Sequence, residues 1–335
     1  MDEMVMSGAG QSPVASIAHP MLHQVPAVIA ATGPAGSHAF IEFFVATLRN
    51  PNTRVAYAKA VAKFLDWMAA SAALTDLRQV QAWHVATYIE SLLKAGRRPA
   101  TVKQALTAIR QLCDFLVVRQ ILPMNPATSV KAPKQVTRRG LTPVLLPSET
   151  RAILDAIDVS TIKGLRDRAL IATMTYTFAR ISAALHLKVG DYQIRGRRSW
   201  LRLAEKGGQT IDLPCHHSLE QYLDEYIAAA GIASERAAWL FRSLNGRSPA
   251  AGLSDRPLTD GNMWSMVNQR ARAAGISRLI SNHTFRATGI TAYLKNGGKL
   301  EVAQQMAGHA SPSTTQLYDR REDEVALDEV ERILI

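Results

Sequence analysis

The chain has 335 residues, 47% of them hydrophobic and 20% charged, with a formal net charge of +11. That length suits two globular domains with real cores and excludes the profile of a disordered protein, while the positive balance favours a polyanionic partner, nucleic acid first. Two distant cysteines, Cys113 and Cys215, argue against a disulfide framework, and no apolar run approaches the roughly 18–20 residues that span a bilayer, so a cytoplasmic protein without membrane contact is expected.

Residues 1–36, rich in Ala, Gly, Pro and Ser, carry short apolar patches without a sustained period and read as an N-terminal tail. Residues 37–125 read as a helical domain without strands. AFIEFFVATLR leads. TRVAYAKAVAKFLDWMAA then sets Tyr57, Val61, Phe64, Leu65 and Met68 on one face, with Asn52 as its N-cap. VQAWHVATYIESLLKAG ends at Gly96, a natural C-cap. The last helix follows Pro99 and buries Val102, Ala105, Leu106, Ile109 and Leu116. Thr53, Arg54, Lys59, Lys103 and Arg110 are candidate DNA contacts; the commoner role of such charges is to keep a helix soluble. Residues 126–145 are proline-rich, basic and aperiodic. They read as an exposed linker whose Arg138 and Arg139 either track a phosphate backbone or simply solvate a spacer.

The second domain is expected over 146–321. Ser148 is placed to cap a helix, and a long helical reading runs through GLRDRALIATMTYTFARISAALHL. One β signal stands out: SWLRLAEKGGQTIDLP alternates, turns at Gly207-Gly208 and returns. The pattern is helical thereafter, apart from a break at LNGRSPAAGLSDRPLTDGN. Residues 322–335 read as an acidic amphipathic helix with Val325, Leu327, Val330 and Ile333 apolar. The fold class is mainly α with a small β-sheet.

Familiar phosphate loops, dinucleotide fingerprints and metal motifs are missing. Cys215-His216-His217 are three adjacent donors that cannot easily converge on one ion, and read as loop residues. What remains is a scattered set. Arg180 interrupts an apolar stretch, a costly place for a charge unless it is paired or aimed into a cleft. Lys206 sits at the hairpin tip. His283 and Arg286 lie one helical turn apart, and Tyr318 follows His309 by nine residues in GHASPSTTQLY. Each alone has an ordinary role: a structural ion pair, a solvated turn, a chance HxxR, a core aromatic. Together they are a kit for phosphodiester attack. Two guanidinium forks clamp the developing charge, Tyr is the nucleophile, and Lys or His moves the proton.

In that order and at those separations the residues resemble the tyrosine recombinases, the phage-integrase family, over about residues 38–320. The resemblance implies a core-binding, SAM-like helical bundle followed by an α+β catalytic domain. It implies that Tyr318 forms a 3′-phosphotyrosyl link, that Arg180 and Arg286 hold the non-bridging oxygens, and that Lys206 protonates the leaving 5′-oxygen. His283 then aids proton transfer at the nucleophile and His309 donates to the phosphate. Neither metal nor cofactor is implied. The partners implied are a double-stranded DNA site, further copies forming a tetramer on two sites, and room for an accessory protein, in a nucleoid setting. The C-terminal helix is expected to dock on a neighbouring protomer. Ala183 stands where the family usually has a Glu that supports the active-site arginine. Phe285 and Ala287 replace a usual Leu and His. A type IB topoisomerase-like activity and a catalytically silent architectural protein are the competing readings.

Overall fold

Asn50 opens the longest helix of the first half: its side-chain oxygen accepts from the N–H groups of Asn52 (2.9 Å) and Thr53 (3.2 Å). The cap expected at Asn52 lies two residues earlier, because Pro51 is at home only in the first helical turn and the capping residue must precede it. The structure, a computed structural model, describes residues 25–134, 140, 142–205, 208–246, 252–320 and 331. The chain divides into two units, Met1–Val136 and Thr137–Ile335.

The described part of the first unit is helical. α1 (Ala27–Ala30) and α2 (Pro34–Glu42) lead into a π-helical turn, Phe43–Thr47, followed by α3 (Pro51–Ser71), α4 (Ala82–Lys94) and α5 (Pro99–Val118). The expected stripes of α3 and α5 are the core: Val61, Phe64, Leu65 and Met68 meet Val102, Leu106, Ile109 and Leu116, with Tyr57 half-buried at the edge. Gly96 follows α4 at φ +70°, the left-handed conformation a helix terminus takes most easily with glycine. The unit is larger than expected at both ends. Val28 and Ile29, assigned to the tail, are buried in α1. At the other end Ala127 and Val130, assigned to the linker, join the same core. Arg110 holds that turn by donating to the carbonyls of Ala127 and Val130. Hydrogen bonds invisible to periodicity thus turn a proline-rich stretch into packed chain.

The second unit is built around α7 (Ile162–Tyr176), preceded by α6 (Pro147–Asp155). Ser148 does not cap α6: Pro147 occupies the first turn, and the Glu149 carboxylate accepts from the N–H of Leu146 instead. β1 (Tyr192–Arg195), β2 (Arg198–Ala204) and β3 (Thr210–Pro214) form an antiparallel sheet in that order, with Arg202 opposite Asp212. The hairpin of β2 and β3 is the expected one, whereas β1 was concealed by the polar run Arg195–Arg198. A second ribbon, β4 (Arg242–Leu244) with β5 (Leu253–Pro257), lies where only a break was expected, being too short and too rich in turn residues to alternate. The remaining helices are α8 (Ile181–Leu185), α9 (His217–Ala230), α10 (Asp260–Ala273), α11 (Asn282–Lys295), α12 (Leu300–Met306) and α13 (Pro312–Gln316). Asp167, fully buried on α7, accepts paired bonds from Arg166 and from Arg270 of α10, so the buried charge is compensated on both oxygens. Among the described residues no helix is long and apolar enough to cross a membrane.

The continuous helix expected through Arg180 is broken. α7 ends at Tyr176, Phe178 takes φ +55°, and Arg180 is extended (φ −68°, ψ 149°) as the N-cap of α8. A left-handed non-glycine residue costs about 1–2 kcal/mol. Burying the Phe178 ring returns about 1.5–3 kcal/mol, and its freed carbonyl accepts from the Arg286 guanidinium. The break is therefore the favourable solution. Gly289 of α11 makes it accessible, since a Cβ there would lie 2.0 Å from the Thr175 carbonyl oxygen and 2.9 Å from the Phe178 ring. Gly289→Ala is expected to lower unfolding stability by about 1–3 kcal/mol. An unchanged urea midpoint would show that α7 and α11 do not need this close approach.

Candidate active site

The first turn of α11 carries His283 and Arg286, and Arg286 is only 2% exposed. A charge buried this deeply has to be paid back in hydrogen bonds. Arg286 donates to the carbonyls of Phe178, at the α7 break, and of Ala307, at the end of α12. A further Nη2–H points at His309 Nε2, 2.7 Å away. Burial and the neighbouring Arg180 charge pull Arg286 down to about 10, with Tyr318 opposing them, so it stays protonated at neutral pH.

Arg180 arrives from the other side of the same turn. It donates to the carbonyl of Gly308 (3.2 Å) and pairs with Glu205 at the end of β2. The consecutive carbonyls of Ala307 and Gly308 thus hold two guanidinium groups side by side. Gly308 sits at φ +55°, and a Cβ there would lie 3.0 Å from Glu205 Cγ.

His309 fixes the proton arrangement. Guanidinium only donates, so Nε2 of His309 accepts and Nδ1 carries the hydrogen, donating to Thr315 Oγ1 at 2.9 Å. Burial first, then Arg286 and Arg180, push His309 down to about 4, leaving a neutral ring. His283, at the exposed rim, is lowered too, by desolvation and then by the same two arginines. Tyr318 follows α13. Its N–H donates to the Thr315 carbonyl (2.9 Å), its carbonyl accepts from Thr291 of α11 (3.0 Å), and its ring stacks at 5.9 Å and 7° on His309. His309 lies in the turn between α12 and α13, where its N–H donates to the Gln304 carbonyl and its carbonyl accepts from the Gln304 side-chain amide, both at 3.1 Å.

Five of the six expected residues, Arg180, His283, Arg286, His309 and Tyr318, therefore converge. Lys206 lies outside the described residues, as do Arg138, Arg139 and the helix expected over 322–335, Glu331 apart. Glu205 and Thr315 were not singled out from sequence. The available signals were an acid beside Lys206 and a missing acid at Ala183. Of Cys215-His216-His217, His216 caps α9 by accepting from the N–H of Ser218 and stacks on Tyr176. Among the described residues no group of three or more His, Cys, Asp or Glu is disposed to hold a metal ion.

The expected DNA contacts of the first unit separate into two kinds. Arg54 donates to the Leu48 carbonyl (3.2 and 2.9 Å), and Arg110 to Ala127 and Val130, so both hold the unit's own backbone. Thr53 and Lys103 instead line one groove of about 540 Å³ between α3 and α5. Lys59 lines a neighbouring groove of about 510 Å³ with Lys63 and Arg97.

Because His309 is neutral when folded and titrates near its ordinary value of about 6.5 when unfolded, the unfolded chain takes up the proton first as pH falls. Its contribution to stability is complete above about pH 6.5 and is lost toward about pH 4. Imidazole ¹⁵N spectra are expected to show His309 protonated on Nδ1 alone at pH 5.5. A midpoint above pH 6 would overturn this assignment.

The phage integrase family matches residues 143–324, and the phage integrase N-terminal SAM-like domain matches residues 40–120. The tyrosine recombinase XerD of Corynebacterium glutamicum is 31% identical over 277 residues, covering 80% of this chain and 86% of its own. That of Chlorobaculum tepidum is 30% identical over 284 residues, covering 80% and 85%. In fold, the chain is similar to the XerH site-specific recombinase bound to a palindromic difH substrate (TM-score 0.67, 20% identity, covering 85% of this chain and 80% of that one). It is also similar to a lambda integrase tetramer bound to a Holliday junction (TM-score 0.63, 17% identity, 87% and 80%). These relatives are recombinases, which leaves the topoisomerase-like and architectural readings without support. The chain belongs to the phage integrase family and is a site-specific tyrosine recombinase, an enzyme that cleaves and rejoins DNA.

Proposed function

We propose that Tyr318 is the nucleophile and that the clustered residues exchange one phosphodiester for another without loss of bond energy. The Tyr318 oxygen attacks the scissile phosphorus, the bond to the 5′-oxygen breaks, and a 3′-phosphotyrosyl link forms. Lys206 delivers a proton to the leaving 5′-oxygen, and His283 takes part in removing the proton of Tyr318. Arg180 and Arg286 bind the non-bridging oxygens. Attack by the 5′-hydroxyl of a second strand reverses the sequence and rejoins the DNA. The observation that carries this reading is the pairing of both guanidiniums on the Ala307 and Gly308 carbonyls beside the His309–Tyr318 stack.

Thr315 gives His309 its flexibility. In the free protein His309 Nε2 accepts from Arg286, so it cannot also donate. When a phosphate oxygen takes over that Arg286 hydrogen, His309 can release its Nδ1 proton to solvent and take one up at Nε2, facing the phosphate, while the Thr315 hydroxyl turns from acceptor to donor toward Nδ1. The substrate we propose is a pair of double-stranded DNA sites bound by a tetramer, as the lambda integrase tetramer binds its junction. Thr53, Lys59 and Lys103 would contact phosphates along the α3–α5 grooves.

Tyr318→Phe is expected to bind its DNA but form no covalent adduct, as judged by denaturing gels. An adduct from this variant on a nicked duplex would remove Tyr318 from the role. Sequencing the DNA trapped on the wild-type protein in cells identifies the site. On that duplex, Lys59→Ala and Lys103→Ala should each flatten the log affinity against log salt slope by about one. Arg54→Ala and Arg110→Ala should instead lower the unfolding temperature. An unchanged slope for both lysine variants would exclude the α3–α5 grooves.

A further inference from the structure

We infer that Glu205 is the positioning residue for Arg180, taking over from the β2 end the supporting task for which Ala183 has no carboxylate. The inference rests on the proposed function, since it concerns how Arg180 is held for the scissile phosphate.

The geometry makes Glu205 a built part of the cluster. Its side chain is 2% exposed, against 27% for that of Arg180, so the carboxylate is the buried partner and the guanidinium the one that faces outward. Its Oε2 accepts from Arg180 Nη1, while Arg180 Nη2 donates to the Gly308 carbonyl, so two points of the planar fork are tied and its remaining N–H groups are left for a ligand. Its other oxygen, Oε1, is buried without a hydrogen-bond partner among the described residues, so Arg180 is the compensation this carboxylate has there. Backbone geometry holds it from both ends. The Glu205 N–H donates to the Gln209 carbonyl at 2.7 Å across the hairpin, and the absent side chain of Gly308 leaves the space its Cγ and Cδ occupy. Ala183, one turn along α8 from Arg180, is 4% exposed and offers no acceptor.

A carboxylate here also balances charge. Arg180 and Arg286 are close enough for each to lower the basicity of His283 and His309, and among the described residues Arg286 is held by neutral acceptors, two carbonyls and the His309 ring. Glu205 places one negative charge on the exposed member of the pair. Its single anchoring bond leaves Arg180 oriented without saturating it.

The test uses the full-length protein and the duplex recovered by trapping, with adduct formation followed in a single turnover. Glu205→Ala is expected to slow adduct formation about 10- to 100-fold with site affinity unchanged, and Glu205→Gln, which keeps an acceptor, to recover part of that loss. In an Arg180→Lys background Glu205→Ala should add little further loss, because it acts through the arginine. Unfolding supplies a second readout without DNA. Arg180→Ala strands a buried charge and should lower the unfolding temperature, and adding Glu205→Gln should restore part of it. Equal slowing by Glu205→Ala in the wild-type and Arg180→Lys backgrounds, or additive unfolding shifts, would overturn the inference. Failure of the wild-type protein to form any adduct on that duplex would remove the proposed function and this inference with it.

Discussion

Two guanidinium groups held side by side are the constraint on which the second unit's local structure depends. Like charges repel, and each must be taken out of water to be preorganised. The protein meets both demands with oriented neutral acceptors: the carbonyls of Phe178, Ala307 and Gly308. A neutral His309 accepts one more hydrogen, and the Glu205 carboxylate supplies counter-charge. Donors fixed in advance need no reorganisation when negative charge develops beside them, which is the main electrostatic advantage an active site has over water.

Each acceptor exists because an element ends in the right place. Phe178 presents its carbonyl because α7 stops at Tyr176, and the glycine of α11 at the crossing leaves room for that break. Ala307 and Gly308 present theirs because α12 closes after two turns and Gly308 accepts a left-handed backbone. The same short turn aligns the His309 ring with that of Tyr318. The pairing of Asp167 with Arg166 and Arg270 fixes α7 against α10.

Much of this was legible beforehand where packing repeats with the helical period. The stripes of α3 and α5 follow from apolar spacing alone, and the β2–β3 hairpin follows from alternation around a glycine turn. Legibility failed where a hydrogen bond or a contact distant in sequence decided the outcome. Ser148 and Asn52 looked like caps, yet a proline before each moved the helix start. Arg54 and Arg110 looked like surface charges, yet both close their own unit's backbone. β1 and the β4–β5 ribbon are too short and too polar for alternation to reveal.

The sequence by itself supplied the residues on which the proposed chemistry rests, because residue types and their order are a property of the covalent chain: two arginines, two histidines, a lysine and a tyrosine. It also determined the helical cores, since periodic burial is local. Only the tertiary structure decided which groups support the others. That Glu205 answers for the acid absent at Ala183, that Arg286 sets the proton on His309, and that Gly308 makes room for the carboxylate while its carbonyl accepts from Arg180 depend on contacts between residues up to 128 positions apart. No local pattern encodes such distances, because the free energy that selects them is released only when the elements pack.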